Sequence, residues 1–208
     1  MPADEPIFAI ARHRIGRDGD GVTTLVCFPS CPLHCKYCLN PQCFKDEGTY
    51  PRYTPVSLYE KVKVDDLYFQ ATGGGITFGG GEPGLRSSFI AEFRSVCPQN
   101  WKINLETSLN IDEANLDTLE RCTNQFIIDI KDMSPDIYKA YTGKDNARVK
   151  RNLEWLSKAG RASDCTIRVP IIPGYNSAEC VDDSISQLKA MGFGNFDKFV
   201  YVTDRSKK

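Results

Sequence analysis

Six short segments rich in β-branched and aromatic residues recur along the chain, at Val22–Phe28, Gly75–Phe78, Lys102–Glu106, Phe126–Ile130, Thr166–Ile172 and Lys198–Val202. Stretches with helical spacing separate them, and this alternation limits the chain to few folds. Several of the segments are almost wholly apolar, as strands buried on both faces of a parallel sheet are. Between them, Ser57 to Glu60 reads as an S-x-x-E capping box opening a helix toward Ala71. Phe89, Phe93, Val96 and Cys97 share one helical face, and Leu116 and Leu119 follow an Asp112 cap. Val149, Leu153 and Leu156 form a stripe closed by Gly160, and Val181, Ile185, Leu188 and Met191 one closed by Gly192. Strands joined through helices lie parallel with right-handed crossovers. The expectation is an α/β fold, a partial (β/α)6 barrel lacking its last helix, in one domain over residues 1–208. Ligands of such sheets sit at the carboxyl ends of the strands, so the chemistry belongs in the loops that follow them.

Composition narrows the function. A chain of 208 residues with 41% hydrophobic and 25% charged residues is long enough to bury a full core. Its net charge of −1 offers no basic field for a nucleic-acid backbone, and the basic end Arg205–Lys208 reads as a solvated tail. No apolar run approaches the ~20 residues that span a bilayer. The polar, acidic start Met1–Pro6 does not resemble a signal peptide, which predicts a cytoplasmic protein without membrane contact. Nine cysteines are many for that compartment, and they are uneven: five fall between Cys27 and Cys43. In a reducing compartment such a cluster points to metal rather than disulfides.

The core of that cluster is Cys31-Pro-Leu-His-Cys35-Lys-Tyr-Cys38, a C-x3-C-x2-C spacing directly after the first predicted strand. Three thiolates within eight residues can converge on one face of an iron–sulfur cluster. Structural zinc and electron-transfer clusters normally close with four ligands; three leave one iron open to a substrate. The alternative is a zinc site completed by His34 or Cys43. Cys43, Cys97, Cys122, Cys165 and Cys180 are scattered, and most are expected to be small buried hydrophobes. One βα unit later, Gly73-Gly-Gly-Ile-Thr-Phe-Gly79-Gly80-Gly81-Glu82-Pro83 brackets the second strand, where glycines let a backbone approach a ligand closely.

Together these motifs resemble the radical S-adenosylmethionine superfamily, and more narrowly its glycyl-radical enzyme activases, from about Asp18 to Val202. Asp18-Gly-Asp-Gly21 resembles the activase Asp-Gly-Pro-Gly signature, and Asp129-Ile130-Lys131 the Asp-Leu-Lys element. Arg168 and Pro173-Gly174 fall where those enzymes have Ile-Arg…Pro-Gly. The resemblance implies a [4Fe–4S] cluster on Cys31, Cys35 and Cys38, with S-adenosylmethionine on its open iron. It implies that Gly80, Gly81 and Glu82 accept from the methionine amino group, and that Tyr37, Cys38 and Leu39 lie against the adenine. Lys131 would meet the carboxylate, Asp129 the ribose or a metal ion, with Ile130 and Arg168 completing the cofactor site. Glu106 and Thr107, with Asp129, would hold a monovalent cation. For Tyr37 a packing role fits equally, and for Asp129 and Lys131 a strand-end ion pair does.

The implied partners are a protein or peptide substrate, a glycyl-radical enzyme first among them, and flavodoxin or ferredoxin as electron donor; the chain is expected to be a monomer. An accessible mouth near Asp18, Asp20 and Arg168 would admit the substrate loop. Asp20 replaces the signature proline, Val22-Thr23 replaces an apolar residue and arginine, and no histidine-bearing loop follows the sixth strand. Those departures leave room for another peptide, a small molecule or a non-catalytic zinc module.

Overall fold

A computed structural model describes residues 4–201 and 203; Val202 of the last predicted strand and the Arg205–Lys208 tail lie outside the described residues. The fold is α/β with mostly parallel strand pairing, and the chain divides into two compact units. The first takes the described chain through Pro32, then Asn40–Thr107 and Ile111–Ile127; the second takes Leu33–Leu39, Ser108–Asn110 and the chain from Ile128 onward. Among the described residues no helix is long and apolar enough to cross a membrane.

The first unit opens with β1 (Glu5–Pro6) and β2 (Ala9–Ile15), then β3 (Val22–Phe28), β4 (Arg52–Tyr53), α1 (Pro55–Val62) and α2 (Asp66–Thr72). It continues through β5 (Gly75–Gly80), α3 (Ser87–Val96), β6 (Lys102–Thr107) and α4 (Glu113–Glu120). β3, β5 and β6 pair in parallel, with Phe28 opposite Gly80, Phe78 opposite Leu105 and Thr77 opposite Asn104. Alternation along these strands separates two faces. On one, Phe28 and Phe78 stack at 5.6 Å between ring centres, and α3 adds Phe89 and Phe93 edge-on at 5.5 and 5.4 Å. All four rings are buried, and each is worth about 1.5–3 kcal/mol for leaving water. On the other face, Thr77 and Asn104 are buried polar groups, and both donate to the carbonyl of Asp18.

Two local features depart from the sequence reading. β2, absent from the expectation, pairs antiparallel with β3 and carries a bulge between Ala11 and Arg14, where His13 adopts a left-handed φ of 56°. The bulge breaks the alternation that would have announced a strand. Its polar side chains are used: the Arg12 guanidinium and the Thr24 hydroxyl (2.7 Å) donate to the fully buried carboxylate of Asp65, with His13 Nε2 at 3.1 Å. The capping box also sits three residues earlier than read. Thr54 caps α1, its hydroxyl accepting from Ser57 N–H at 3.1 Å while Ser57 Oγ accepts from Thr54 N–H at 2.9 Å. Pro55 at the first helical position fits this start. The expected single helix toward Ala71 is broken into α1 and α2 by a tighter turn at Lys63–Asp65, which buries Asp65.

β7 (Gln125–Asp129) carries the chain into the second unit, followed by α5 (Pro135–Thr142), α6 (Ala147–Lys158), β8 (Cys165–Ile171), α7 (Ala178–Ala190) and β9 (Asn195–Val200). β8 and β9 are parallel, with Arg168 opposite Asp197. Leu153 and Leu156 of α6, Ile167 and Val169 of β8, and Val181 and Leu188 of α7 form its core. The last three expected strands therefore exist with their ends moved by one to three residues, and α5 is an addition.

Candidate functional site

In the first unit the cysteine segment begins beside the glycine motif. The last ladder pair of β3 and β5 is Phe28 with Gly80. Beyond it Gly81 N–H donates to Phe28 C=O at 2.9 Å, and Glu82 N–H to Ser30 C=O at 2.8 Å. A Cβ on Gly81 would stand 2.1 Å from the Ser30 oxygen, and Gly80 has φ +103° with no room beside Cys27. The immediate demand for glycine is thus close approach of two strand ends. Ser30, the residue before Cys31, has φ 66°, which costs a non-glycine residue on the order of 1 kcal/mol. It is held there from three sides: its N–H donates to Cys43 C=O (2.7 Å), its hydroxyl to Glu47 (2.5 Å), and its carbonyl takes the Glu82 N–H. Sequence reasoning missed Ser30, because nothing in the residue type announces a left-handed backbone.

Glu82 is fully buried, and its Oε1 accepts from Thr107 Oγ1 at 2.6 Å and from Gly84 N–H at 3.0 Å. The Thr107 hydroxyl is therefore committed to Glu82, and Glu106 lies beside Gly79, where a Cβ would be 3.1 Å from Glu106 Oε2. Asp18, expected at an accessible mouth, is only 3% exposed, and its carboxylate is paired with Arg14. Its short side chain follows the carbonyl inward because Thr77 and Asn104 hold that carbonyl. Asp20 is exposed and pairs with Lys102 at 3.1 Å. Burial, reinforced by Glu106 and Asp18, pushes the Cys27 thiol up to about 12.

The second unit holds the rest of the cysteine loop. Cys38 N–H donates to Cys35 C=O at 3.1 Å, a turn that keeps the two cysteines close. The loop is fastened to the end of α5, where His34 N–H donates to Thr142 C=O (3.0 Å) and Lys36 N–H to Tyr141 C=O (3.2 Å). Tyr201 Oη donates to Tyr37 C=O at 2.9 Å, and Tyr37 Oη to Pro173 C=O at 3.3 Å. Tyr37 packs among Tyr141, Tyr175 and Tyr201, with ring centres 6.1, 5.8 and 6.5 Å away. Leu39 is 44% exposed.

Lys131 follows β7, is 9% exposed and lies 3.3 Å from Asp129 Oδ2. Burial alone would lower its pKa, but Asp129 and then Cys35 outweigh it, and the net shift is upward. Burial pushes the Cys35 thiol up, Lys131 offsets only part of that rise, and the net shift is upward. The segment after Lys131 is fixed by Asp132, whose carboxylate accepts from Ser134 N–H (2.8 Å) and Asn176 Nδ2 (3.0 Å). Ile130 is buried, its N–H donating to Arg168 C=O at 3.0 Å, and the Arg168 side chain lies 3.9 Å from Asp197. Tyr141 is wholly buried, and burial, reinforced by Tyr201, pushes its hydroxyl pKa up. Ser134-Pro135 at its start and Gly143 after its end are the sequence signals for α5.

All nine cysteines are thiols, and Cys43, Cys97, Cys122 and Cys165 are buried as expected, with Cys180 half-buried. Among the described residues no three His, Cys, Asp or Glu side chains are gathered closely enough to hold a metal ion.

The family model described as the Radical SAM superfamily matches residues 25–184. The (2S)-3-sulfopropanediol dehydratase activating enzyme of Klebsiella oxytoca is 27% identical over 82% of this chain and 72% of its own length. The pyruvate formate-lyase-activating enzyme of Clostridium pasteurianum is 32% identical over 61% of this chain and 53% of its own length. The structure of Streptococcus suis SuiB bound to precursor peptide SuiA shares the fold, with TM-score 0.64 at 15% identity over 86% of this chain and 39% of that one. The anSMEcpe structure with bound AdoMet gives TM-score 0.54 at 22% identity, over 82% of this chain and 49% of that one.

Proposed function

This chain belongs to the radical S-adenosylmethionine superfamily, and from that membership we propose that it cleaves S-adenosylmethionine reductively to activate a glycyl-radical enzyme. The family implies a [4Fe–4S] cluster and S-adenosylmethionine. When bound, that pair would supply one-electron reductive cleavage of the sulfonium, releasing methionine and providing the power to abstract a hydrogen atom from a glycine of the partner.

One observation carries the reading: the buried ammonium of Lys131 acts electrostatically on Cys35, in a loop of C-x3-C-x2-C spacing. A low-dielectric pocket that keeps a cation suits an anionic thiolate and an anionic carboxylate, and both the cluster and the cofactor bring one. In this reading Cys31, Cys35 and Cys38 hold the cluster and Lys131 binds the methionine carboxylate. Asp129 orients Lys131 and takes a ribose hydroxyl. The Gly80–Glu82 backbone, fixed against Ser30, presents acceptors for the amino group. Glu106 with Asp129 is the proposed seat of a monovalent cation, and Thr107 contributes only if it leaves Glu82. The substrate assignment draws on the activating enzymes named above, and flavodoxin or ferredoxin would supply the electron.

The experiment is anaerobic purification followed by metal analysis and assay. The reading requires a brown protein with about four irons and sulfides per chain, lost in Cys31→Ala, Cys35→Ala and Cys38→Ala and kept in Cys97→Ala. Incubating reduced enzyme and S-adenosylmethionine with glycyl-radical enzymes of the same organism should yield a glycyl radical and 5′-deoxyadenosine in step. Stoichiometric zinc in a colourless protein overturns the cluster assignment. Deoxyadenosine without a glycyl radical for every partner tested moves the substrate to another peptide or a small molecule.

A further inference from the structure

We propose that Glu47 is a positioning residue for the cluster site. Through the hydroxyl of Ser30 it holds the backbone that leads into Cys31 and takes the Glu82 amide, so one carboxylate sets both the first cysteine and the glycine motif. The inference rests on the cluster reading above. Ser30 has φ 66°, a conformation that a residue with a Cβ adopts only under restraint. Its N–H and C=O are bound by Cys43 and Glu82, but any residue other than proline could make those backbone bonds at position 30. The bond that depends on residue type is the one from the hydroxyl, and it goes to Glu47 Oε1 at 2.5 Å.

Glu47 is itself held. It opens a single tight turn, Glu47–Thr49, that Asp46 caps by accepting from Gly48 N–H at 3.0 Å. Its Oε1 also accepts from Arg86 Nη2 at 2.6 Å, and Arg86 Nε stands 3.1 Å from Glu5 Oε2. The Glu47 and Arg86 side chains are half-buried, so salt screens their pair less than it would an exposed one. Arg86 closes the turn Pro83–Arg86 that follows Glu82. The contacts form a ring: the Ser30 hydroxyl to Glu47, Glu47 to Arg86, Arg86 along the chain to Glu82, and the Glu82 N–H back to the Ser30 carbonyl. Gly81 packs so closely on that carbonyl that a Cβ would stand 2.1 Å from it. A Ser30 that relaxed out of the left-handed region would therefore displace Gly81 and Glu82 as well as the start of the cysteine loop.

The test uses rescue by glycine, which adopts a left-handed φ at no steric cost. In anaerobic, cluster-loaded protein, Glu47→Ala should release iron to a chelator faster than the unaltered enzyme does. It should also bind S-adenosylmethionine roughly fivefold more weakly, the factor that a left-handed serine's conformational cost would give. Binding is read from the perturbed electron paramagnetic resonance spectrum of the reduced cluster. Ser30→Ala, which deletes the hydroxyl and keeps the Cβ, should show the same two losses. Adding Ser30→Gly to Glu47→Ala should restore both, although the double variant still lacks the pair with Arg86. Parent-like iron retention and affinity in Glu47→Ala overturn the inference. So does a double variant as impaired as Glu47→Ala, because Glu47 would then act without Ser30. Should Glu47→Ala not fold, Ser30→Ala and Ser30→Gly are compared instead, and equal behaviour of the two overturns the inference. Each of these results leaves the cluster reading standing. An unaltered enzyme that takes up no iron and sulfide overturns both.

Discussion

Replacing Thr107 by valine tests whether the glycine motif is held from beneath by a buried carboxylate. Glu82 is fully buried, and its Oε1 has two donors, Thr107 Oγ1 at 2.6 Å and Gly84 N–H at 3.0 Å. Valine has nearly the shape of threonine, so the substitution removes one hydrogen bond to a carboxylate and little packing. A hydrogen bond to a charged group is worth about 1.5–3 kcal/mol, and the hydroxyl lost no longer has to be stripped of water, so the net cost should be about 2 kcal/mol. For a chain of 208 residues that lowers Tm by roughly 4–8 °C. Urea unfolding followed by far-ultraviolet circular dichroism gives the free energy, and a thermal scan gives the shift. Thr107→Ser should recover most of the loss, because it restores the hydroxyl and forfeits only a methyl. A loss below about 0.5 kcal/mol in the valine variant, within the range of an ordinary surface substitution, would refute the claim that Thr107 supports Glu82.

Three further outcomes follow from other parts of the molecule. Lys131→Ala should weaken S-adenosylmethionine binding to the cluster-loaded enzyme roughly 10- to 100-fold, the equivalent of one charge-assisted contact, as measured by anaerobic titration; equal affinity would relocate the carboxylate. Burial raises the Asp65 carboxyl, but hydrogen bonds from Arg12 and Thr24 outweigh it and set its folded pKa below the usual carboxylate value. Its contribution is therefore complete above the unfolded value of about 3.9 and drains away as pH falls through the folded one. Asp65→Asn should be less stable than the parent by a constant margin near neutrality, narrowing below about pH 4; a margin that grows with acid contradicts the assignment. Burial pushes Cys27 and Cys165 up to about 12 and Cys97 up to about 11. Iodoacetamide at pH 8 should spare these three in folded, cluster-free protein and alkylate them once urea is added, as peptide mass mapping would reveal.

Much of this architecture could be read from residue types, because strands buried on both faces leave a dense apolar record. Val22–Phe28 is such a run and its limits coincide with β3. β2 left no record of that kind: it is interrupted by Arg12, His13 and Arg14, and Asp65, the partner of the first two, lies more than fifty residues away. Local pattern cannot anticipate a carboxylate that arrives from another element. The same limit applies at the site. The cysteine spacing and the glycine run are local and were readable, as was Lys131 at a strand end. Ser30 is set by backbone strain, and Tyr141 is set by where α5 terminates; neither is written in composition. Thr107 entered through the resemblance as part of a cation site, yet its hydroxyl donates to Glu82, which follows a different strand, a pairing that emerges only from packing.

The bulge in β2 has a consequence for how the protein behaves in a crowded solution. β2 is the margin of the first unit's sheet, hydrogen-bonded on one side to β3. An open margin of that kind is a template for another chain, and straight, apolar margins seed fibrils. Here His13 turns the backbone out of register in mid-strand, and arginines stand on either side of it. A neighbouring molecule trying to zip along this margin would lose its ladder at the bulge and meet positive charge as it did so. The irregularity that hid β2 from pattern reading thereby keeps copies of the chain from polymerising edge to edge.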